Sequence, residues 1–328
     1  MWPEEQDKLV TAVQRCNSYN AKEYVPVVVG AEQVGWTPVR MISDLAHQLA
    51  RGEAAELVLL KKDSREGEEA PADQRVALDI PGQSVAIRLA PYASNGQERC
   101  DTVQALVEDL LEDGVIPRKA VRNERQEVRP LYFGFGGPGA PPPLLQMERA
   151  AMVHFGCPVF AIHVNGYVRG DDGRIESVWI GQRSMSKATY PGLLDQVVAG
   201  GQPAGLSFLE NVQKECEEEA SLPPEVIATI EHTGVISYKY ATRKGLSTKS
   251  IAVFDLEFPK GMSPICGDGE VEEFQLMRIE DALASIRDKL PLWKPNAALI
   301  MVDFALRHGF IGEDEPGYAE MTELLRRG

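Results

Sequence analysis

Residues 199–224 read AGGQPAGLSFLENVQKECEEEASLPP, and this run restricts the fold more than any other. Two glycines end an apolar stretch, LDQVVA (194–199), and Pro203 and Gly205 enforce a loop. Ser207, with Glu210 three positions on, forms a capping box that starts a helix. Pro223 and Pro224 stop it. Spacings of 3, 4 and 4 put Leu209, Val212, Cys216 and Ala220 on the buried face. The inward Cys216 is expected to be an inert thiol. Four carboxylates crowd the end of this helix: Glu215, Glu217, Glu218 and Glu219. At about 100° per residue, Glu215, Glu218 and Glu219 share one stripe and Glu217 points elsewhere. Like charges so spaced destabilise a helix. Most acidic runs are solvated faces. Carboxylates facing a Gly-Gly loop also make an oxygen-rich site for a hard cation such as Mg²⁺. On spacing alone both readings stay open.

The rest of the chain supplies the frame. With 328 residues there is room for two domains. Hydrophobic content of 44% and charged content of 25% are those of a globular protein. A net charge of −15 argues against nucleic-acid binding through a broad basic face. It does not exclude anionic substrates, because a bound cation inverts the local sign. No apolar run reaches the length a bilayer needs, so no membrane partner is expected. The N-terminal MWPEEQDKLV lacks the apolar core of a signal peptide. Five scattered cysteines without a C-x-x-C pair point to reduced thiols in a cytoplasmic compartment and to no zinc site. The five histidines are dispersed and are expected to be structural or on the surface.

The expected class is α+β. Strands are predicted over 25–30, 57–60, 157–168, 175–183, 233–240, 250–258 and 272–277, with 157–168 and 175–183 joined as a hairpin through DDG (171–173). Helices are predicted over 40–50, 102–113, 144–155 and 295–308. The polar stretch 61–75 is predicted to be a loop. The Gly/Pro cluster GFGGPGAPPP (134–143) marks a connection and places a domain boundary near residue 128. The result is an α+β domain over 1–128 followed by a larger one over 129–328.

Several stretches resemble a known family. The Nudix box is written G-x5-E-x7-R-E-U-x-E-E-x-G-U, with U aliphatic. Gly200 fills its first position, Lys214 the Arg, Glu215 the next Glu, Cys216 the U, Glu218 and Glu219 the Glu pair, and Leu222 the last U. Leu206 stands where the first Glu belongs, and Ser221 replaces the Gly. The run VWIGQRSMSKATYPGLLDQVVAGG (178–201) resembles the Nudix subfamily described as thiamine pyrophosphokinase-related. VGWTPVR (34–40) and GVIPRKAVRNERQEV (114–128) resemble that group's N-terminal domain (DUF4743-like), and PNAALIMVDFALRHGFI (295–311) its last helix.

The resemblance implies a C-terminal α/β/α sandwich with a mixed sheet. It also implies a Mg²⁺- or Mn²⁺-dependent hydrolase of a small-molecule diphosphate. Glu215, Glu218, Glu219 and the Gly200 carbonyl would hold the metal, and Lys214 would orient Glu215. Glu270, from a later acidic loop, would be base or extra ligand. Arg183, Lys187 and Tyr190 would hold the substrate, expected to be thiamine diphosphate or its oxo and oxy derivatives. Other diphosphates (ADP-ribose, NADH, coenzyme A) and a non-catalytic binding module are the alternatives. An isopentenyl-diphosphate isomerase lacks support, because its cysteine motif after the Pro-Gly is missing. The kinase label lacks a G-x-x-x-x-G-K-[ST] run. For the N-terminal domain, closure over substrate and a homodimer contact are both open.

Overall fold

The computed structural model describes residues 8–45, 49, 50, 52, 54–60, 84–121, 123–131 and 141–325. The predicted loop at 61–75 lies outside these residues, as do most of the Gly/Pro cluster and part of the predicted helix at 40–50.

The chain begins with helix α1 (Lys8–Gln14). Strands β1 (Tyr24–Val29) and β2 (Glu32–Pro38) form a hairpin through Gly30. A short helix α2 (Met41–Asp44), strand β3 (Ala55–Leu60) and strand β4 (Ser84–Leu89) follow. They make a four-stranded sheet in the order β2-β1-β4-β3, with β1 parallel to β4. Helix α3 (Gly96–Glu112) buries Val103, Leu106, Val107 and Leu110 against it. Its Asn95 cap accepts from the Glu98 N–H. Strands β5 (Arg125–Val128) and β6 (Leu145–Glu148) pair antiparallel, and one turn of helix, α4 (Arg149–Met152), follows. Of the helix predicted over 144–155 only residues 149–152 are helical, and 145–148 are strand. Leu145 and Met147 both point into the core, and this alternation across the pair with β5 overrides local helix propensity. One apolar core runs from Val27 through Val128, Leu145 and Phe155 to Val159.

The second sheet has seven strands: β7 (Pro158–Arg169), β8 (Ile175–Arg183), β9 (Leu194–Gln196), β10 (Val198–Gly201), β11 (Glu231–Ala241), β12 (Leu246–Glu257) and β13 (Val271–Arg278). The order is β11-β12-β7-β8-β13; β12 runs parallel to β7 and the other pairs are antiparallel. The predicted hairpin is β7–β8. The single strand predicted at 194–199 is two, because β9 pairs with β8 and β10 with β7. One edge of β7 is thus shared, residues 161–164 going to β10 and 166–169 to β8.

Side chains alternate across β7. Ile162 and Val164 face the helices α5 (Phe208–Ala220) and α6 (Pro224–Ile227), packing with Val212, Cys216 and Ala220. The opposite face is covered by α7 (Ile279–Lys289), α8 (Pro295–Arg307) and α9 (Tyr318–Leu324). Helix α1 joins this layer and buries Leu9, Val10 and Val13 in it. The result is an α/β/α sandwich with a mixed sheet, preceded by an α+β unit. Among the described residues no helix is long and apolar enough to cross a membrane.

Helix α5 starts as its capping box predicts. Ser207 Oγ accepts from the Glu210 N–H, and Glu210 Oε2 accepts from the Ser207 N–H at 2.8 Å. Leu209 was expected on the buried face, but it is 54% exposed. The first helical turn lies beyond the edge of the sheet, and Asn211 takes the inward place. Ser207→Ala is expected to lower unfolding stability by about 1 kcal/mol. An unchanged urea midpoint would show that the cap does not hold this helix.

Candidate functional site

Strand β10 is bonded to β7 along one edge only, so its other edge presents bare backbone groups. Helix α5 satisfies them with side chains. The Ala199 N–H donates to Glu219 Oε2 at 2.9 Å. The Gly201 carbonyl accepts from Asn211 Nδ2 at 2.9 Å. Between these two bonds lies Gly200. A Cβ placed there would stand 2.4 Å from the Glu215 carboxyl carbon, so the missing side chain makes room for that carboxylate.

The acidic stripe is graded by burial. Glu219 is 5% exposed, the Glu215 side chain 14% and the Glu218 side chain 49%. Glu217 points outward, as expected. Lys214 Nζ bridges Glu218 at 2.7 Å and Glu215 at 3.4 Å. The Lys that replaces the usual Arg therefore still orients Glu215, through a point charge shared with Glu218.

The far end of α5 brings in Glu270. Ser221 ends the helix in the left-handed conformation, with φ of 49°. This explains the glycine of the usual pattern and shows that serine adopts the same backbone. The following loop is tied to the helix terminus. The Ile265 N–H donates to the Ala220 carbonyl at 3.0 Å, and the Gly267 N–H to the Glu219 carbonyl at 3.2 Å. Gly267 has no room for a Cβ, which would meet the Glu218 carbonyl at 2.0 Å. Glu270 is thereby held within hydrogen-bonding reach of Glu219, and it is ion-paired with Lys187.

Burial pushes the Glu215 carboxyl upward; Lys214 opposes this, while Glu218 and Glu270 add to it. Glu219 lies well above the carboxylate range, first by burial, then through Glu215, Asp195 and Glu270, against the Ala199 N–H. Burial also raises Glu270, but Lys187 outweighs it and the net shift is downward. Ionisation of Glu215 and of Glu219 thus carries a raised cost, Glu270 adding to both, while Glu270 itself is lowered by Lys187 and by its hydrogen bond with Glu219. A divalent cation is the group that relieves this, and carboxylates beside a backbone strand are the donors a hard cation takes. In chemistry, all-oxygen donors of this kind are those Mg²⁺ or Mn²⁺ takes. Among the described residues no three such side chains are already gathered closely enough to hold one. The lysines Lys214 and Lys187 supply the counter-charge.

Arg183 and Tyr190 have other partners. Arg183 Nη1 donates to Asp195 Oδ2 at 3.0 Å, and its remaining nitrogens donate to the Thr189 and Tyr190 carbonyls. The Tyr190 hydroxyl is raised by burial and by its hydrogen bond to Tyr240, and its ring sits near Cys16. Of the residues expected to touch substrate, only Lys187 pairs with the carboxylate cluster.

Sequence reasoning missed a buried network on the other side of β9. Asp195 binds Arg183 and Lys294, the latter at 2.7 Å. Burial raises Asp195, yet Lys294, His163 and Arg183 bring it below its ordinary value. His163 is held neutral, pushed down to about 4 by burial and then by Lys294. Its ring nitrogens meet Gln196 Oε1 at 2.7 Å and Asn296 at 3.2 Å. Of its members, Arg183 was expected to hold substrate, and Asp195 lies in the same run, residues 178–201.

Residues 159–300 match the model of the NUDIX domain. Over these residues the chain is similar to a Nudix domain, and the β10–α5 unit with its acidic stripe lies within the matched stretch. The chain is similar to Nudix hydrolase 24, chloroplastic, of Arabidopsis thaliana, 38% identical over 71% of this chain and 60% of that protein. It is also similar to Nudix hydrolase 20, chloroplastic, from the same plant, 36% identical over 70% of this chain and 58% of that protein. The chain thus spans about three-fifths of the relatives it matches. A solved MutT/nudix family protein from Enterococcus faecalis aligns at 14% identity and TM-score 0.36, over 50% of this chain and 67% of its own.

The buried Glu219 gives a pH signature. Its folded-state pKa is raised above the unfolded value. The folded state then holds the extra proton, so stability falls as pH rises past the unfolded carboxylate value. With divalent cations chelated, Glu219→Gln is expected to melt above wild type at neutral pH. The gain should vanish below about pH 4, where both states are protonated. A variant melting below wild type at pH 7 would contradict the raised pKa.

Proposed function

We propose that this protein is a divalent-cation-dependent Nudix hydrolase of a diphosphate. Its substrate is thiamine diphosphate or an oxo or oxy derivative, cleaved to the monophosphate and phosphate. One observation carries the hydrolase reading: Glu215 and Glu219, both pushed upward by burial and by nearby carboxylates, lie beside a strand position without a side chain, with Glu270 hydrogen-bonded to Glu219. The thiamine reading rests on the subfamily resemblance of residues 34–40, 114–128, 178–201 and 295–311. The same resemblance divides the chain at residue 128 into a DUF4743-like unit and a Nudix unit. The names of the two plant relatives support the hydrolase class.

In this reading Glu215, Glu218, Glu219 and the Gly200 carbonyl hold Mg²⁺ or Mn²⁺. The bound ion supplies charge cancellation on the diphosphate and a more acidic water. Lys214 holds Glu215 and Glu218 in register along the helix. Glu219 is tethered by the Ala199 N–H, and burial shifts its carboxyl upward. Glu270 is ionised, kept so by Lys187, and is the residue suited to accept a proton from the attacking water. Arg183 fixes the 184–190 loop, which carries Lys187, through two carbonyls of that loop. The partner is a small-molecule diphosphate, with neither nucleic acid nor membrane involved, and a homodimer contact is assigned to the N-terminal unit. Five free cysteines support a cytoplasmic compartment.

A screen with Mg²⁺ over thiamine diphosphate, oxothiamine diphosphate, ADP-ribose, NADH and coenzyme A, read by chromatography of the monophosphate products together with phosphate release, tests this reading. Release is expected from the thiamine compounds, and Glu219→Gln is expected to lower it at least a hundredfold, in line with loss of a metal-site contribution of several kcal/mol. Wild-type turnover in that variant would remove the site assignment, and silence across the whole screen would favour a binding module.

A further inference from the structure

Asp195 lies on β9 and is buried. Its Oδ2 takes two cations at once, Arg183 Nη1 at 3.0 Å and Lys294 Nζ at 2.7 Å. Its Oδ1 accepts from the Gln196 N–H at 3.1 Å. A buried carboxylate persists only when paired, and one that takes two cations couples the elements that bring them. Lys294 comes from the start of α8, and its own N–H donates to the Leu194 carbonyl at 3.0 Å. Arg183 ends β8, where its N–H donates to the Leu193 carbonyl and its carbonyl accepts from the Gly192 N–H. Asp195 is thus tied to the core through Lys294, and on its other side it holds the residue that opens the connection from β8 to β9.

That connection, residues 184–192, leads to the carboxylate cluster. Arg183 Nε donates to the Tyr190 carbonyl at 3.1 Å, and its Nη2 to the Thr189 carbonyl at 3.0 Å. Tyr190 has a φ of 54°, a left-handed backbone that a tyrosine adopts only where its surroundings hold it. The first part of the connection touches the Glu270 loop. The Ser184 N–H donates to the Glu270 carbonyl at 2.9 Å, and Lys187 Nζ donates to Glu270 Oε2. The Lys187 N–H returns to the Ser184 carbonyl at 3.1 Å. Glu270 is therefore held at its main chain by Ser184 and at its side chain by Lys187, within a connection that Arg183 closes. The Glu270 side chain is close to half exposed, so packing alone does not fix it.

We propose that Asp195 is a positioning residue: by fixing the Arg183 fork it sets the 184–192 connection, and through Lys187 it aims the Glu270 carboxylate at the attacking water. This rests on the hydrolase reading above, in which Glu270 takes the proton of that water. The guanidinium suits the role because its planar fork donates in fixed directions, here to Asp195 and to two carbonyls together. A lysine in its place keeps a charge on Asp195 but cannot hold both carbonyls as well. Alignment matters to the rate, since a misplacement of about 1 Å lowers turnover by up to about a hundredfold.

The test uses the full chain and the variants Asp195→Asn and Arg183→Lys. Hydrogen exchange at the Ser184, Lys187, Gly192 and Glu270 amides reads the positioning with neither metal nor substrate. Exchange there is expected to rise about tenfold or more in both variants, with the amides of α5 unchanged. Kinetics with Mg²⁺ and thiamine diphosphate, or whichever diphosphate of the screen is hydrolysed, read the consequence. In both variants kcat should fall about tenfold or more, while KM changes by less than about threefold. Arg183→Lys keeps a cation on Asp195 and should melt close to wild type. Asp195→Asn leaves two buried cations without a charge partner; if it fails to fold, adding Lys294→Met restores the buried net charge, and the same outcome is expected of the double variant. Wild-type exchange at the four amides in folded Asp195 variants overturns the proposal, and so does a rise that extends to α5, which marks a general loss of stability. Hydrolysis with wild-type kcat in the variants would sink the positioning role alone. Loosened amides in a chain whose wild type hydrolyses none of the diphosphates would sink the hydrolase reading and leave Asp195 as the residue that sets the connection.

Discussion

The bond from the Ala199 N–H to Glu219 Oε2 is the contact on which the rest of this domain's arrangement depends. A strand at a sheet edge has unpaired backbone groups, and β10 is such a strand along one side. Helix α5 covers that side with Glu219 and Asn211. Such a hydrogen bond contributes about 0.5–1.5 kcal/mol net when the carboxyl is neutral, and more when it is ionised. The helix is therefore docked by one of the residues proposed to hold the metal ion. The cost is visible in the same side chain, since burial drives Glu219 toward its protonated form despite the donor.

Charge balance explains what surrounds this contact. Lys214 serves Glu215 and Glu218, and Lys187 serves Glu270. Both are long, single-point cations that can be drawn aside more easily than a forked guanidinium. On the other face Asp195 is matched by Lys294 and Arg183, inside a layer built by α8. Helix α1, from the first residues of the chain, packs in that layer, and Arg149 and Glu124 close over Gly201. The segments before residue 159 thus frame the site.

The departures from the Nudix pattern have physical readings. Ser221 occupies a left-handed position that glycine adopts without strain, and its N–H still finds the Cys216 and Glu217 carbonyls. Leu206 places an exposed apolar side chain where the pattern has a carboxylate, and its carbonyl accepts from Gln202. The acidic ligands that remain are those nearest Gly200 and the Glu270 loop.

Local features were legible in the chain alone. The capping box, the Pro-Pro stop, the 3.6-residue spacing of Val212, Cys216 and Ala220 and the β7–β8 hairpin all depend on neighbours a few positions apart, and each appears in the structure. The Nudix box could be recognised for the same reason, because its residues lie within one strand, loop and helix. What depended on distant residues could not be read. Residues 144–148 became a strand because β5 pairs with them. Glu270 meets Glu219 because the 265–267 loop bonds to the end of α5, and Lys187 is drawn in by the same carboxylate. Short-range sterics and hydrogen bonding determine the first group. The second is decided by burial and by long-range charge, which exist only after the sheet has closed.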